Sequence, residues 1–251
     1  VDDPVAALVE QQAQLSDLID GLSPDGWAAA TRCEGWDVSD VILHLAQTNE
    51  LAVGSLAGRF AEALVDLLPA EGATTSVDDT VDRMVQAERS LSPSELQERW
   101  SSGAARLVSA FREIDPSTRV VWVAGRLSAR TLATTRLAET WIHTGDVADA
   151  VGVTLATGER LRLIARLAWR TLPYAFASAG RTMSGPVAFR LLSPSGDTWD
   201  LTPPDPAATT ITGTAAELCA VAARRVDPSA TSLRGDGPDA ADVLALVRTY
   251  A

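Results

Sequence analysis

The chain has 251 residues, 46% of them hydrophobic, and a formal net charge of −12. That length suits one large or two small domains with a real core, and the acidity speaks against nucleic acid, whose phosphates need clustered positive charge. All 21 basic residues are arginine, which excludes a Schiff-base lysine, hence pyridoxal-phosphate chemistry, and a Walker-type phosphate lysine.

The elements follow in chain order. Residues 4–21 carry Val5, Leu8, Val9, Leu15, Leu18 and Ile19 at helical spacing, with Gly21 and Pro24 as punctuation. Asp37 reads as the N-cap of a second helix, paired with Asp40 in a capping box. Its apolar positions predict one long helix through Phe60 and Leu64 towards Pro69. The polar segment EGATTS separates it from a short helix near 78–90. Ser92, Pro93 and Glu95 open the next helix, which ends near Asp115-Pro116. RVVWVAGRL is a connector with some strand character. Ser128 caps a helix that stops at Gly152, and one more amphipathic helix covers 158–178. At Gly180 the texture changes. PVAFRLLS and DTWDLTPP predict a hairpin around SPSG, and ATTITGT a third strand. Helices over 214–225 and 238–249 complete the chain, with TSLRGDG as a further candidate strand. The expectation is a mainly α protein: a helical bundle over 1–180 and a small α+β domain over 181–251.

No apolar run approaches the ~18–20 residues of a membrane span, and the first residues lack a basic-then-apolar leader. A cytoplasmic protein without a membrane partner is expected. Cys33 and Cys219 stand far apart and in no CxxC, which excludes a zinc ribbon and a thioredoxin-type site. Both read as small buried or half-buried thiols.

The chain has two histidines. His143 follows Glu139 by four residues, so the pair shares one helix face. On a wheel of ~100° per residue, Asp146 falls in the same sector as both. That face is otherwise partly core-directed, and a buried glutamate costs several kcal/mol unless paired or ligated. His44 lies on the margin of the apolar face of the second helix. Brought together by a bundle, His44, Glu139 and His143 make a two-His, one-carboxylate set with open positions, which suits catalysis. A salt-bridged Glu139–His143 pair on a solvated face is the alternative. Asp40 and Asp146 are candidate acceptors behind His44 and His143. Trp36 reads as a hydrophobic staple, Trp141 as core, and Trp122 as core or pocket wall.

The segments TRCEGWDVSDVILHLAQ and RLAETWIHTGDVADAVG resemble the two signatures of mycothiol-dependent maleylpyruvate isomerases and their relatives. These belong to the DinB-like, or YfiT-like, superfamily of metal-dependent thiol transferases. The resemblance implies a DinB-like four-helix bundle with a divalent metal, usually zinc (Zn2+), on His44, Glu139 and His143. It also implies a small C-terminal sterol-carrier-like domain, whose end ITGTAAELCAVAARRVDPSATSLRGDG resembles. A functionally important arginine of the isomerases corresponds there to Arg225, with Arg224 the adjacent candidate. The segment GERLRLIARLAWRTLPYAFASAGR most resembles a subgroup described only as metal-binding.

The implied chemistry is activation of a low-molecular-weight thiol such as mycothiol, which adds to a small-molecule substrate, giving an isomerase or S-transferase. Arg225 or Arg126 could hold a carboxylate, although Arg126 also reads as a solvated loop arginine. Two other readings stay open: a thiol-independent zinc Lewis-acid enzyme (lyase, hydrolase or cyclase), and a non-catalytic binding protein on the same fold. A monomer or homodimer is expected.

Overall fold

The computed structural model describes residues 2–68, 76–123 and 125–249. The linker expected over 71–76 lies outside them except for Ser76. The described chain divides into two compact units, Pro4–Leu155 and a second one from Ala156 onward.

The first unit is built on four long helices: α1 (Pro4–Asp20), α3 (Val38–Leu56), α6 (Pro93–Glu113) and α7 (Ala129–Ala150). α3 packs on α6 and α7, and α1 packs on the same two helices, closing a four-helix bundle. Trp27, Val41, Ile42, Leu45, Leu96 and Trp100 fill one end of its core. The short helix α2 (Pro24–Trp27) sits between α1 and α3, and α4 (Phe60–Leu67) and α5 (Val77–Glu88) between α3 and α6. β1 (Arg119–Trp122) and β2 (Gly125–Ser128) form an antiparallel hairpin ahead of α7.

Both capping boxes are present. Asp37 accepts from Asp40 N while Asp40 reaches back to Asp37 N, and Ser92 and Glu95 do the same at α6. The long helix expected from Asp37 towards Pro69 is two helices. At Gly58 the backbone turns to φ +73°. Gly58 N donates to Ser55 O, and Arg59 N to Gly54 O. This is the paired stop in which a left-handed glycine satisfies the last carbonyls. Gly152 ends α7 identically at φ +70°, with Gly152 N on Asp149 O and Val153 N on Ala148 O.

The second unit begins about 25 residues before the change of texture at Gly180. The helix expected over 158–178 is α8 (Leu161–Arg170) and α9 (Leu172–Ser178), broken at Thr171 ahead of Pro173. α8 buries Leu161, Ile164, Ala165 and Ala168 against α10 (Ala215–Ala222). Amphipathic helices go where their apolar stripe finds cover, so composition placed this boundary late. The remaining elements are β3 (Val187–Leu192), β4 (Thr198–Leu201), β5 (Thr209–Thr214), β6 (Arg234–Asp236) and α11 (Ala240–Leu246). The sheet order is β4-β3-β5-β6, with β3 and β5 parallel and the outer pairs antiparallel. The molecule is mainly α with a small α+β unit, as expected. Among the described residues no helix is long and apolar enough to cross a membrane.

Candidate metal centre

α7 buries a polar stripe beside its apolar one. Arg136, Thr140, His143, Thr144 and Asp146 are all buried. Gln11 of α1 donates to Thr144 Oγ1 at 3.0 Å, which fixes this face against its neighbour. α3 supplies His44, 7% exposed. His44 Nε2 lies 3.6 Å and His143 Nε2 3.4 Å from one oxygen, Glu139 Oε2. The two imidazole rings meet edge to face, with centroids 5.0 Å apart. The three residues singled out by spacing thus converge.

These contacts are too long for strong hydrogen bonds. Glu139 keeps 27% of its side chain open, yet Oε2 itself is enclosed and has no hydrogen-bond partner, as is His44 Nδ1. Orphaned buried polar atoms are rare because each costs about 1–3 kcal/mol. A zinc with ligands at ~2.1 Å sets tetrahedral edges of about 3.4 Å. The observed 3.4 and 3.6 Å match that edge. Two imidazoles and one carboxylate, all with donor atoms within 4.8 Å of one another, therefore fit a divalent cation.

The two histidines differ in their backing. His143 Nδ1 lies 3.0 Å from Asp146 Oδ2. A carboxylate accepts only, so Nδ1 carries the proton and Nε2 is left to ligate. Asp146 is thus the expected acceptor. Asp40 is not the acceptor for His44: it binds Arg89 at 2.9 and 2.8 Å and closes the α3 cap. Against His44 lies Trp36 instead, at 5.2 Å between centroids. Trp36 Nε1 donates to Asp82 at 2.9 Å, so a residue expected as a staple also walls the centre.

Burial lowers the pKa of His44 below the usual imidazole value, against the pull of Glu139. Burial acts the same way on His143, but Asp146, Cys33 and Glu139 together outweigh it and hold that pKa well above normal. Burial would raise Glu139; the two histidines reverse this and hold its carboxyl well below the usual range.

A second group, Cys33, His143 and Asp146, also brings donor atoms together. Cys33 Sγ sits 3.4 Å from Asp146 Oδ2. Arg32 lies 3.8 Å from the other oxygen of Asp146 and 2.9 Å from Asp149. A guanidinium there opposes a second cation, so this group backs His143 rather than forming a separate site. Cys33 read only as a small thiol, although it lies within the first signature segment, in the loop just ahead of the Asp37 cap.

Residues 8–148 match the family model of the mycothiol maleylpyruvate isomerase N-terminal domain. The chain belongs to this family. Two uncharacterised proteins of Mycobacterium tuberculosis, from strains CDC 1551 / Oshkosh and H37Rv, are each 33% identical over 98% of this chain and 95% of their own length. The crystal structure of the mycothiol-dependent maleylpyruvate isomerase superposes with a TM-score of 0.60 at 20% identity, covering 94% of both chains. A histidine-to-alanine mutant of that isomerase matches equally. At that identity the likeness establishes the fold.

Trp122 is buried against Phe60 at 5.8 Å, in the core position of its two readings. Trp141 is half-buried. Arg126 is exposed and donates to the carbonyl of Arg119 across the hairpin, as the solvated reading requires. Arg225 belongs to the second unit, half-buried after α10, with Nη1 on Ala223 O at 3.0 Å. Arg224 beside it has φ +59°, a left-handed conformation that non-glycine residues rarely adopt.

Proposed function

We propose that this protein is a divalent-metal-dependent enzyme that activates a low-molecular-weight thiol, such as mycothiol, for addition to a small metabolite. The observation that carries this reading is the convergence of His44 Nε2 and His143 Nε2 on the orphaned Glu139 Oε2. Family membership supports the thiol, and the likeness to a maleylpyruvate isomerase supports isomerisation.

His44, Glu139 and His143 would hold the metal, zinc by its donor preference. When bound, it supplies positive charge that favours a thiolate over a thiol. Asp146 fixes the tautomer of His143, so that this imidazole presents Nε2. Trp36 shields His44 from solvent. No protein cysteine serves as nucleophile, since the thiol is a cosubstrate. The cosubstrate sulfur adds to an activated double bond, the carbon–carbon bond rotates, and the sulfur leaves. An S-transferase stops after the addition. Arg225 of the second unit is our candidate for binding a carboxylate, which a guanidinium does bidentately.

The test is elemental analysis and calorimetry on purified protein. One divalent ion per chain is expected, lost in His44→Ala and His143→Ala. Metal content unchanged in both variants refutes the ligand set. Absence of mycothiol binding to the metal-loaded protein at millimolar thiol refutes the cosubstrate. It would favour a thiol-independent Lewis-acid enzyme.

A further inference from the structure

Arg136 is a charged side chain buried in the bundle, at 1% exposure. Its Nη2 donates to the neutral amide oxygen of Asn49 at 3.2 Å. Its Nε is enclosed and has no hydrogen-bond partner. The other arginines that reach into this bundle end on carboxylates. Arg99 holds Glu50 and Glu88, each at 2.9 Å, and Arg89 holds Asp40 at 2.8 Å. Among the described residues no carboxylate pairs with Arg136.

An interior guanidinium without a carboxylate costs several kcal/mol. Leucine or methionine would fill the same volume at no such cost. The placement is informative. Arg136, Glu139 and His143 recur at three and four residues on one stripe of α7, about 4.5 Å of rise from Arg136 to Glu139. Asn49 is five residues beyond His44 on α3. The Arg136–Asn49 pair therefore forms the layer next to the metal ligands. Its charge is felt by both Glu139 and His44.

We propose that Arg136 is a positioning residue that makes the loaded centre a site for anions at the expense of its hold on the metal. Two neutral imidazoles, the carboxylates of Glu139 and Asp146, a divalent cation and the guanidinium sum to +1, against zero without Arg136, in a space largely closed to water. Charge of one sign in such a space is costly until anions enter. The occupant it favours is anionic, a thiolate above all, over water or a neutral metabolite. Asn49 holds the guanidinium in place through a neutral bond, which leaves its charge unspent.

This inference rests on the metal reading, and its test separates the two. Zinc affinity is measured at pH 7.5 by competition with a chromophoric chelator. Azide affinity is measured on the cobalt-loaded protein from its visible absorption. In Arg136→Gln, zinc binding tightens at least tenfold and azide binding weakens at least tenfold. Arg136→Lys, which keeps the charge, returns both towards the parent. A role in packing alone would loosen zinc and would not be rescued by lysine selectively. Zinc affinity equal to or weaker than the parent's in Arg136→Gln overturns the proposal. So does failure of both Arg136→Gln and Arg136→Met to fold, because the side chain is then structural. A parent that binds no zinc overturns the metal reading itself.

Discussion

Asp146→Asn isolates what backs a ligand from what ligates. Asp146 is 1% exposed and accepts from His143 Nδ1 at 3.0 Å. Asparagine keeps the shape and removes the charge. Hydrogen bonds to charged groups contribute about 1.5–3 kcal/mol, and losing the partner behind a metal-bound histidine weakens metal affinity about 10–100-fold. The asparagine amide can also offer His143 an N–H, which favours the wrong tautomer.

The pH dependence gives the sharper signature. In the metal-free protein the pKa of His143 is raised well above 6.5. A raised histidine pKa stabilises the fold fully below the unfolded value, and that stabilisation is lost as pH rises through the folded value. Metal must displace this proton, so zinc affinity of the parent climbs with pH until the folded pKa of His143 is passed. In Asp146→Asn the proton is held less firmly, and the climb ends at lower pH. The deficit of the variant is therefore largest at pH 8–9 and narrows towards pH 6. Chelator competition across that range, with thermal melts of the metal-free forms, reads both effects. Equal zinc affinities at pH 8, or a deficit that grows as pH falls, would refute the reasoning.

Trp100→Ala empties a 2% exposed position in the core and is expected to cost about 3–5 kcal/mol in chemical denaturation. Ser92→Ala removes the hydroxyl that caps α6 and should cost about 1 kcal/mol in the same assay, without changing zinc content. Gly58→Ala places a side chain at φ +73° where no neighbour obstructs it; about 1 kcal/mol of loss is expected, from backbone strain alone. Burial holds the pKa of the Cys219 thiol far above normal, and the side chain is fully enclosed. Alkylation followed by peptide mass analysis of the folded protein should label Cys33 first, and labelling of Cys219 at an equal rate would contradict this packing.

Local rules carried much of the fold. The boxes at Asp37 and Ser92 and the stop at Gly152 depend on contacts within one turn, so the residues themselves specify them. The stop at Gly58 obeys the same chemistry but was masked by apolar periodicity that continues through Phe60 and Leu64. The start of the second unit was misread for a different reason. Nothing inside Leu161–Arg170 says that its apolar face is covered by α10, a segment some fifty residues away.

The centre divides along the same line. The four-residue step from Glu139 to His143 is a property of any helix, and two histidines in the whole chain narrowed the choice of a third candidate ligand to His44. That much the amino-acid order determined. Only the packing of α3 on α7 decided that both Nε2 atoms meet one carboxylate oxygen. Tertiary packing also sent Asp40 to Arg89, set Cys33 beside Asp146, and shut Arg136 in without a carboxylate. These depend on which helix faces which, and at what depth, and burial is a property of the assembled bundle that no single helix carries in its sequence.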